Sequence, residues 1–115
     1  MRPTRFYSNQ QEKAVATALG GHKVANSGAT PFYKGDVVTS QFLIECKTCV
    51  KEQKTFSVQH AWLIKNQEEM FEMGKSYSAV AFNFGPNSEN YYVIDEKLFK
   101  TLVSLLQRQE ETDGD

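Results

Sequence analysis

The stretch Gly35–Lys47, GDVVTSQFLIECK, most constrains what this chain can fold into. Two apolar runs, Val37-Val38 and Phe42-Leu43-Ile44, flank a short polar break at Thr39-Ser40-Gln41. β-Branched and aromatic residues on both sides of such a break predict a β-hairpin. Asp36 opens its first strand, and Glu45 and Lys47 close its second. Side chains alternate along a strand, so Glu45 and Lys47 share one face while Ile44 and Cys46 share the other. Two carboxylates and an ammonium are thus gathered at one end of a small sheet, beside residues that must be buried. This donor set suits metal-assisted hydrolysis. Carboxylates hold a hard divalent cation through oxygen. Such a cation acidifies water and neutralises charge developing on a phosphate, and a lysine can orient that water.

A chain of 115 residues is expected to form one domain around one modest core. No apolar run approaches the roughly 20 residues of a membrane span. The start, MRPTRFYSNQQEK, lacks the apolar segment of a secretory signal. Cys46 and Cys49 are too few for a disulfide framework, so a reduced, cytoplasmic protein is expected, in the host cytoplasm if the source is viral. Net charge is −1, but its distribution is uneven. Without Glu110, Glu111, Asp113 and Asp115 the balance is +3, and residues 1–54 alone carry +4. Lys47, Lys51 and Lys54 cluster after the hairpin, and Arg2 and Arg5 lie near the start. A positive surround about an acidic site fits a phosphate substrate. Lys51 and Lys54 would equally suit a solvated charged face.

In chain order, Ser8 and Gln11 match a capping box for a helix through Leu19, closed by Gly20-Gly21. Ala14, Val15, Ala18 and Leu19 form its apolar stripe, with Glu12 beside it. A short strand is expected over His22–Ala25, then a loop over residues 26–31. After the hairpin, TCVKEQKT reads as a mobile basic segment. Ser57 is placed to cap a second helix, Val58–Met73, ending at Gly74. Tyr77–Phe84 alternates as a strand, Gly85–Ser88 forms a turn, and Tyr91–Ile94 is the hairpin partner. Asp95 caps a last helix with Leu98, Leu102, Leu105 and Leu106 on one face. The acidic stretch 110–115 reads as a disordered tail after a domain spanning residues 1–109. The order αβββαββα predicts an α/β fold, a mixed central sheet flanked by helices.

Asp36, eight residues, then Glu45-Cys46-Lys47 resembles the PD-(D/E)xK nuclease signature, with Gly35 where the family's proline stands. The element order is that of the restriction-endonuclease-like core. From Gln11 to about Leu106 the chain looks most like archaeal-type Holliday junction resolvases, small enzymes of archaea with relatives in bacterial viruses. Glu12 on the first helix and Ser27-Gly28 before the hairpin add to the likeness. The resemblance implies a Mg²⁺-dependent endonuclease of DNA recombination and repair, with Mn²⁺ able to substitute. It implies that Asp36, Glu45 and Glu12 are acidic members of a metal site, with a further ligand from the Cys46 backbone carbonyl. Lys47 would orient the attacking water. Ser27, Lys51, Lys54, Gln59 and Arg5 are the candidates for DNA contact, with His60 competing for the place of Gln59. Cutting both strands of a four-way junction requires two sites, hence a homodimer. The sheet face or the Trp62 helix would form its interface.

Two other readings stand beside this one. A PD-(D/E)xK nuclease could act on ends, flaps or foreign duplex instead. A non-catalytic nucleic-acid-binding or regulatory domain could carry the same acids. Each site residue also has an ordinary explanation: Asp36 as a strand-start residue, Glu45 and Lys47 as a surface ion pair, Glu12 as a first-turn glutamate favoured by the helix dipole. Cys46 and Cys49 form a CxxC, but a lone pair makes Cys46 a small core residue more readily than a zinc ligand.

Overall fold

The computed structural model of the chain describes residues 2–24 and 36–113. Ser27, Gly35 and the loop expected over residues 26–31 lie outside these. Eight elements follow in order: α1 (Thr4–Leu19), β1 (His22–Lys23), β2 (Asp36–Val38), β3 (Phe42–Lys47), α2 (His60–Glu72), β4 (Tyr77–Phe82), β5 (Tyr91–Val93) and α3 (Glu96–Asp113). The five strands form one sheet in the order β1-β2-β3-β4-β5. The pairing is antiparallel except between β3 and β4, which run parallel over six residue pairs, joined by α2. The described residues therefore form an α/β fold with a mixed five-stranded sheet and three helices.

The predicted hairpin forms, and Thr39 closes its turn. Its Oγ1 accepts from the N–H groups of Gln41 and Phe42 at 3.3 and 3.0 Å, and its own N–H donates to the Phe42 carbonyl. The start of β4 is fastened to the same turn. The N–H groups of Ser76 and Tyr77 donate to the Gln41 carbonyl, and Lys75 Nζ donates to the Thr39 carbonyl at 2.8 Å. On one sheet face Val15 of α1 packs with Val37, Ile44, Ala79 and Ala81 as the buried core. Trp62 of α2 lies over Lys47, which alternation places on the other face, so the two helices cover opposite sides.

Several boundaries differ from expectation. α1 starts at Thr4, with Pro3 at the N-cap, so Ser8 lies inside the helix and no capping box forms. The Gln11 side chain is engaged elsewhere: its Nε2 donates to the carbonyl of Lys47 and to Asn90 Oδ1, at 2.8 and 3.0 Å. The buried face of α1 is Gln11, Glu12 and Val15, while Ala14, Ala18 and Leu19 are exposed. A polar pair with partners at the sheet end outcompetes the weakly apolar alanines for the interior. α2 starts at His60 with Gln59, not Ser57, at its N-cap. Gln59 is extended, and before it the Phe56 ring stacks on Phe82 at 4.8 Å. The basic segment expected to be mobile is pinned at two further points. The Cys49 N–H donates to Asn83 Oδ1, and the Gln53 N–H to the Phe84 carbonyl. β1, β4 and β5 are each shorter than expected, ending at Lys23, Phe82 and Val93.

α3 begins as predicted, with Asp95 Oδ1 accepting the Leu98 N–H at 2.8 Å. It then continues to Asp113, through the stretch from Glu110 expected to be a disordered tail. Leu98 is buried, but Leu102, Leu105 and Leu106 are exposed, because the helix leaves the sheet after its first turn. No helix among the described residues is long and apolar enough to cross a membrane.

Gly85, in the turn after β4, lies close against the pinned segment. A Cβ built there would lie 2.9 Å from Glu52 Cα, a backbone atom that cannot yield without moving the segment. Gly85→Ala is therefore expected to destabilise the protein by about 1–3 kcal/mol, the range for forced overpacking. A thermal melt followed by circular dichroism checks this; an unchanged midpoint would show that the segment carries no strain.

Candidate active site

The β2–β3 register sets the geometry of the acids. Asp36 and Glu45 are directly opposite one another across the antiparallel pair. Opposed residues have Cα atoms about 4.5–5.5 Å apart and side chains on the same face. Asp36 is only 2% exposed, and Glu45 is also buried. Lys47, two residues on along β3, reaches back on that face, its Nζ 3.2 Å from Glu45 Oε1. The same ammonium lies 4.5 Å from the centre of the Trp62 ring. It is thereby held between an anion and a π face. Phe56 and Phe82 continue the aromatic wall next to Trp62.

Glu69, which the sequence reading did not single out, joins this group from α2. It is 5% exposed, and the Lys65 ammonium one turn earlier stands 3.8 Å from its Oε1, beyond hydrogen-bond distance. Asp36 Oδ2, Glu45 Oε2 and Glu69 Oε1 are buried oxygens without a hydrogen-bond partner among the described residues. Burial, then the nearby Glu69 and Glu45 charges, push the Asp36 carboxyl up to about 8. Burial raises Glu69 too, against the opposing pull of Lys65. The Glu69 and Glu45 carboxylates thus disfavour the charge of Asp36. The chemistry of the set fits a hard divalent cation, which takes oxygen ligands at about 2.0–2.6 Å. Among the described residues, no three His, Cys, Asp or Glu side chains are closed around one point as metal ligands.

The other expected residues are more dispersed. Glu12 is buried in α1, raised by that burial, and faces Lys23 at 3.7 Å. It is buried on α1 one turn before Val15, which packs in one core with Ile44 and Cys46. It therefore sits towards the Cys46 side of the sheet. Cys46 packs against the core as expected, and burial raises its thiol. Both cysteines are free. The Cys49 thiol donates to the Asn83 carbonyl. Lys51, Lys54 and Arg5 are exposed, Arg5 on the first turn of α1. Gln59 and His60 are exposed at the start of α2, and Gln59 makes no side-chain cap bond. Ser27 lies outside the described residues. Gln11 connects the parts: by bonding the Lys47 carbonyl and Asn90, it ties α1 to the end of β3 and to the strand that follows Asn90.

Glu69 left a signal in the sequence: it is placed one turn after Lys65 and two turns after Trp62. The chain matches no protein-family model, no curated protein and no solved structure.

The Asp36 carboxyl ionises near 3.8 in an unfolded chain and near 8 in the fold. Its contribution to stability is therefore complete below pH 4 and lost as pH rises through 8. Without divalent cations, the melting temperature is expected to fall across that window. Asp36→Asn should flatten the fall and leave the protein more stable than wild type at pH 8. Mg²⁺ or Mn²⁺ should raise the melting temperature of wild type at pH 8 and not that of the variant. A metal-free profile that rises from pH 4 to 8 would contradict the burial of these charges.

Proposed function

We propose that this chain is a Mg²⁺-dependent DNA endonuclease of the PD-(D/E)xK type, acting on branched DNA such as four-way junctions, as a homodimer. The observation that carries the reading is the pairing of Asp36 with Glu45 across β2–β3, with the Lys47 ammonium 3.2 Å from Glu45. It stands on a chain with the element order αβββαββα. Asp36 and Glu45 would hold the cation, with Glu69 as a further acid. Bound there, the cation supplies Lewis-acid activation of water and neutralises charge on the scissile phosphate. Lys47, fixed between Glu45 and Trp62, orients the attacking water and donates to a phosphate oxygen. Water oxygen bonds to phosphorus and gives up a proton to solvent, and the P–O3′ bond breaks with the 3′ oxygen taking a proton from solvent, giving the 5′-phosphate that the resemblance implies. Lys51, Lys54 and Arg5 supply exposed positive charge for the DNA backbone. The open arrangement of the acids would also suit a non-catalytic binding domain of the same fold.

One assay separates these readings: a labelled four-way junction, a linear duplex and a flap, each incubated with Mg²⁺ and with EDTA. Cutting of the junction in preference to the others, abolished by EDTA, is expected. Preference for ends or flaps would redirect the substrate, and binding without cutting would remove the catalytic reading. Asp36→Asn or Glu45→Gln should lower the cutting rate at least about a hundredfold, since the cation contributes several kcal/mol to the transition state. Junction affinity in a gel shift should remain, because it rests on basic contacts to phosphates.

Lys51→Ala with Lys54→Ala gives the complementary outcome. Binding of every DNA should weaken, and the salt dependence should lose about two phosphate contacts' worth of slope. The single-turnover rate at saturating protein should hold, because uniform binding does not change the chemical step. A collapsed saturating rate would place these lysines in the site.

A further inference from the structure

Just beyond the carboxyl ends of the parallel strands β3 and β4 lies a cavity of about 220 Å³, between α1 and the turn after β4. Thr48 and Asn83, the first residue past each strand, both line it. Open α/β sheets take their ligands outside the carboxyl ends of their strands. Among the described residues, no charged side chain lines this cavity, and five of its side chains are amides: Gln10, Gln11, Asn83, Asn87 and Asn90. Two of these are built into the fold, Gln11 and Asn83, each 4% exposed. Asn83 Oδ1 accepts from the Thr48 hydroxyl and from the Cys49 and Gly85 N–H groups, at 3.1, 3.3 and 3.3 Å, which fixes the amide. Gln11 Nε2 and Asn83 Nδ2 both donate to Asn90 Oδ1, at 3.0 and 3.5 Å. That network takes up the Asn90 oxygen and leaves its Nδ2 without an acceptor among the described residues. Gln11 Oε1 is likewise buried without a donor among them. Gln10 and Asn87, exposed at the mouth, add two further amides.

We propose that this pocket holds a single nucleobase turned out of the DNA stack, an assignment that rests on the DNA reading of the acidic site. A wall without charge gives no anchor to a phosphate or a carboxylate. Amide side chains pair instead with a ring that carries donors and acceptors side by side, as Asn and Gln do on the edge of a base. The half-buried Tyr7 ring in the lining supplies a face to stack on. The volume lies below the roughly 300–1,000 Å³ of sites for drug-sized ligands, which suits one ring system with its sugar and phosphate left outside. The outer parts then fall towards the acidic site. Thr48 follows Lys47 directly, and Gln11 Nε2 donates to the Lys47 carbonyl at 2.8 Å. A base leaves the stack at least cost where it is already unpaired, so such a pocket favours an open branch point over a closed duplex.

Nuclear magnetic resonance of the isotope-labelled protein, without divalent cations, tests the pocket with uncharged probes. The probes are adenosine, guanosine, cytidine and thymidine, with glucose and N-acetylglycinamide as controls. A nucleoside should shift the side-chain amide signals of Gln11, Asn83 and Asn90 saturably, with a Kd of roughly 1 mM or tighter. The indole N–H of Trp62, the chain's one tryptophan, lies beside Lys47 on the other face and should stay in place. Gln10→Ala with Asn87→Gly should weaken nucleoside binding at least about fivefold, the loss of one or two hydrogen bonds, without lowering Tm. Asn87 has a φ of 59°, which glycine adopts freely. The same pair should weaken binding of a branched DNA with an unpaired base at the branch and leave a closed duplex unaffected. No shift with any nucleoside up to its solubility overturns the proposal. Equal shifts with glucose or the amide overturn it too, as does equal weakening on closed duplex. Mg²⁺-dependent cutting without nucleoside shifts leaves the nuclease standing and removes the pocket. Nucleoside shifts in a protein that cuts no DNA support the pocket and remove the nuclease.

Discussion

The structure depends on an unfavourable contact. Asp36 and Glu45 face one another across the centre of the sheet, and Glu69 closes on them from α2, all three almost out of reach of water. Like charges in such a place raise one another's proton affinity, and a lone buried charge costs several kcal/mol unless something offsets it. One lysine ammonium, shared between Glu45 and the Trp62 ring, covers part of the imbalance. The remainder is left to a proton on Asp36 or to a cation. Much of the surrounding architecture reads as support for this arrangement. The hairpin sets the two acids opposite, α2 delivers both Trp62 and Glu69, and Gln11 secures the end of β3 from the other side.

The hairpin was legible in the sequence because its signals are local: β-branched runs, a polar break and alternation. The order of elements was legible for the same reason. The buried face of α1 was not, because hydrophobicity pointed to Ala14, Ala18 and Leu19 while polar Gln11 and Glu12 took the interior. Their burial follows from partners that only the folded sheet brings near, the Lys47 carbonyl and Asn90 for Gln11 and Lys23 for Glu12. Glu69 escaped notice on similar grounds, since its companions are 24 and more residues away in the chain. α3 misled in the opposite direction. Its leucine stripe carries the usual mark of a core helix, and periodicity cannot say whether the covering surface belongs to the same chain.

The turn at Thr39–Gln41 has a consequence for how the sheet is assembled. A parallel pair must be closed across a long loop, and nothing in its evenly spaced hydrogen bonds distinguishes one register from the next. A slip of a single residue would exchange the faces of β4, turning Val80 towards α1 and Ala81 towards α2. The Gln41 carbonyl accepts the N–H groups of both Ser76 and Tyr77 just where β4 begins, and Lys75 grips the Thr39 carbonyl beside it. The most local piece of the sheet thus carries a docking notch for the strand that returns across α2. The native register of β4 is thereby marked at one end of the pair by three bonds to a single turn.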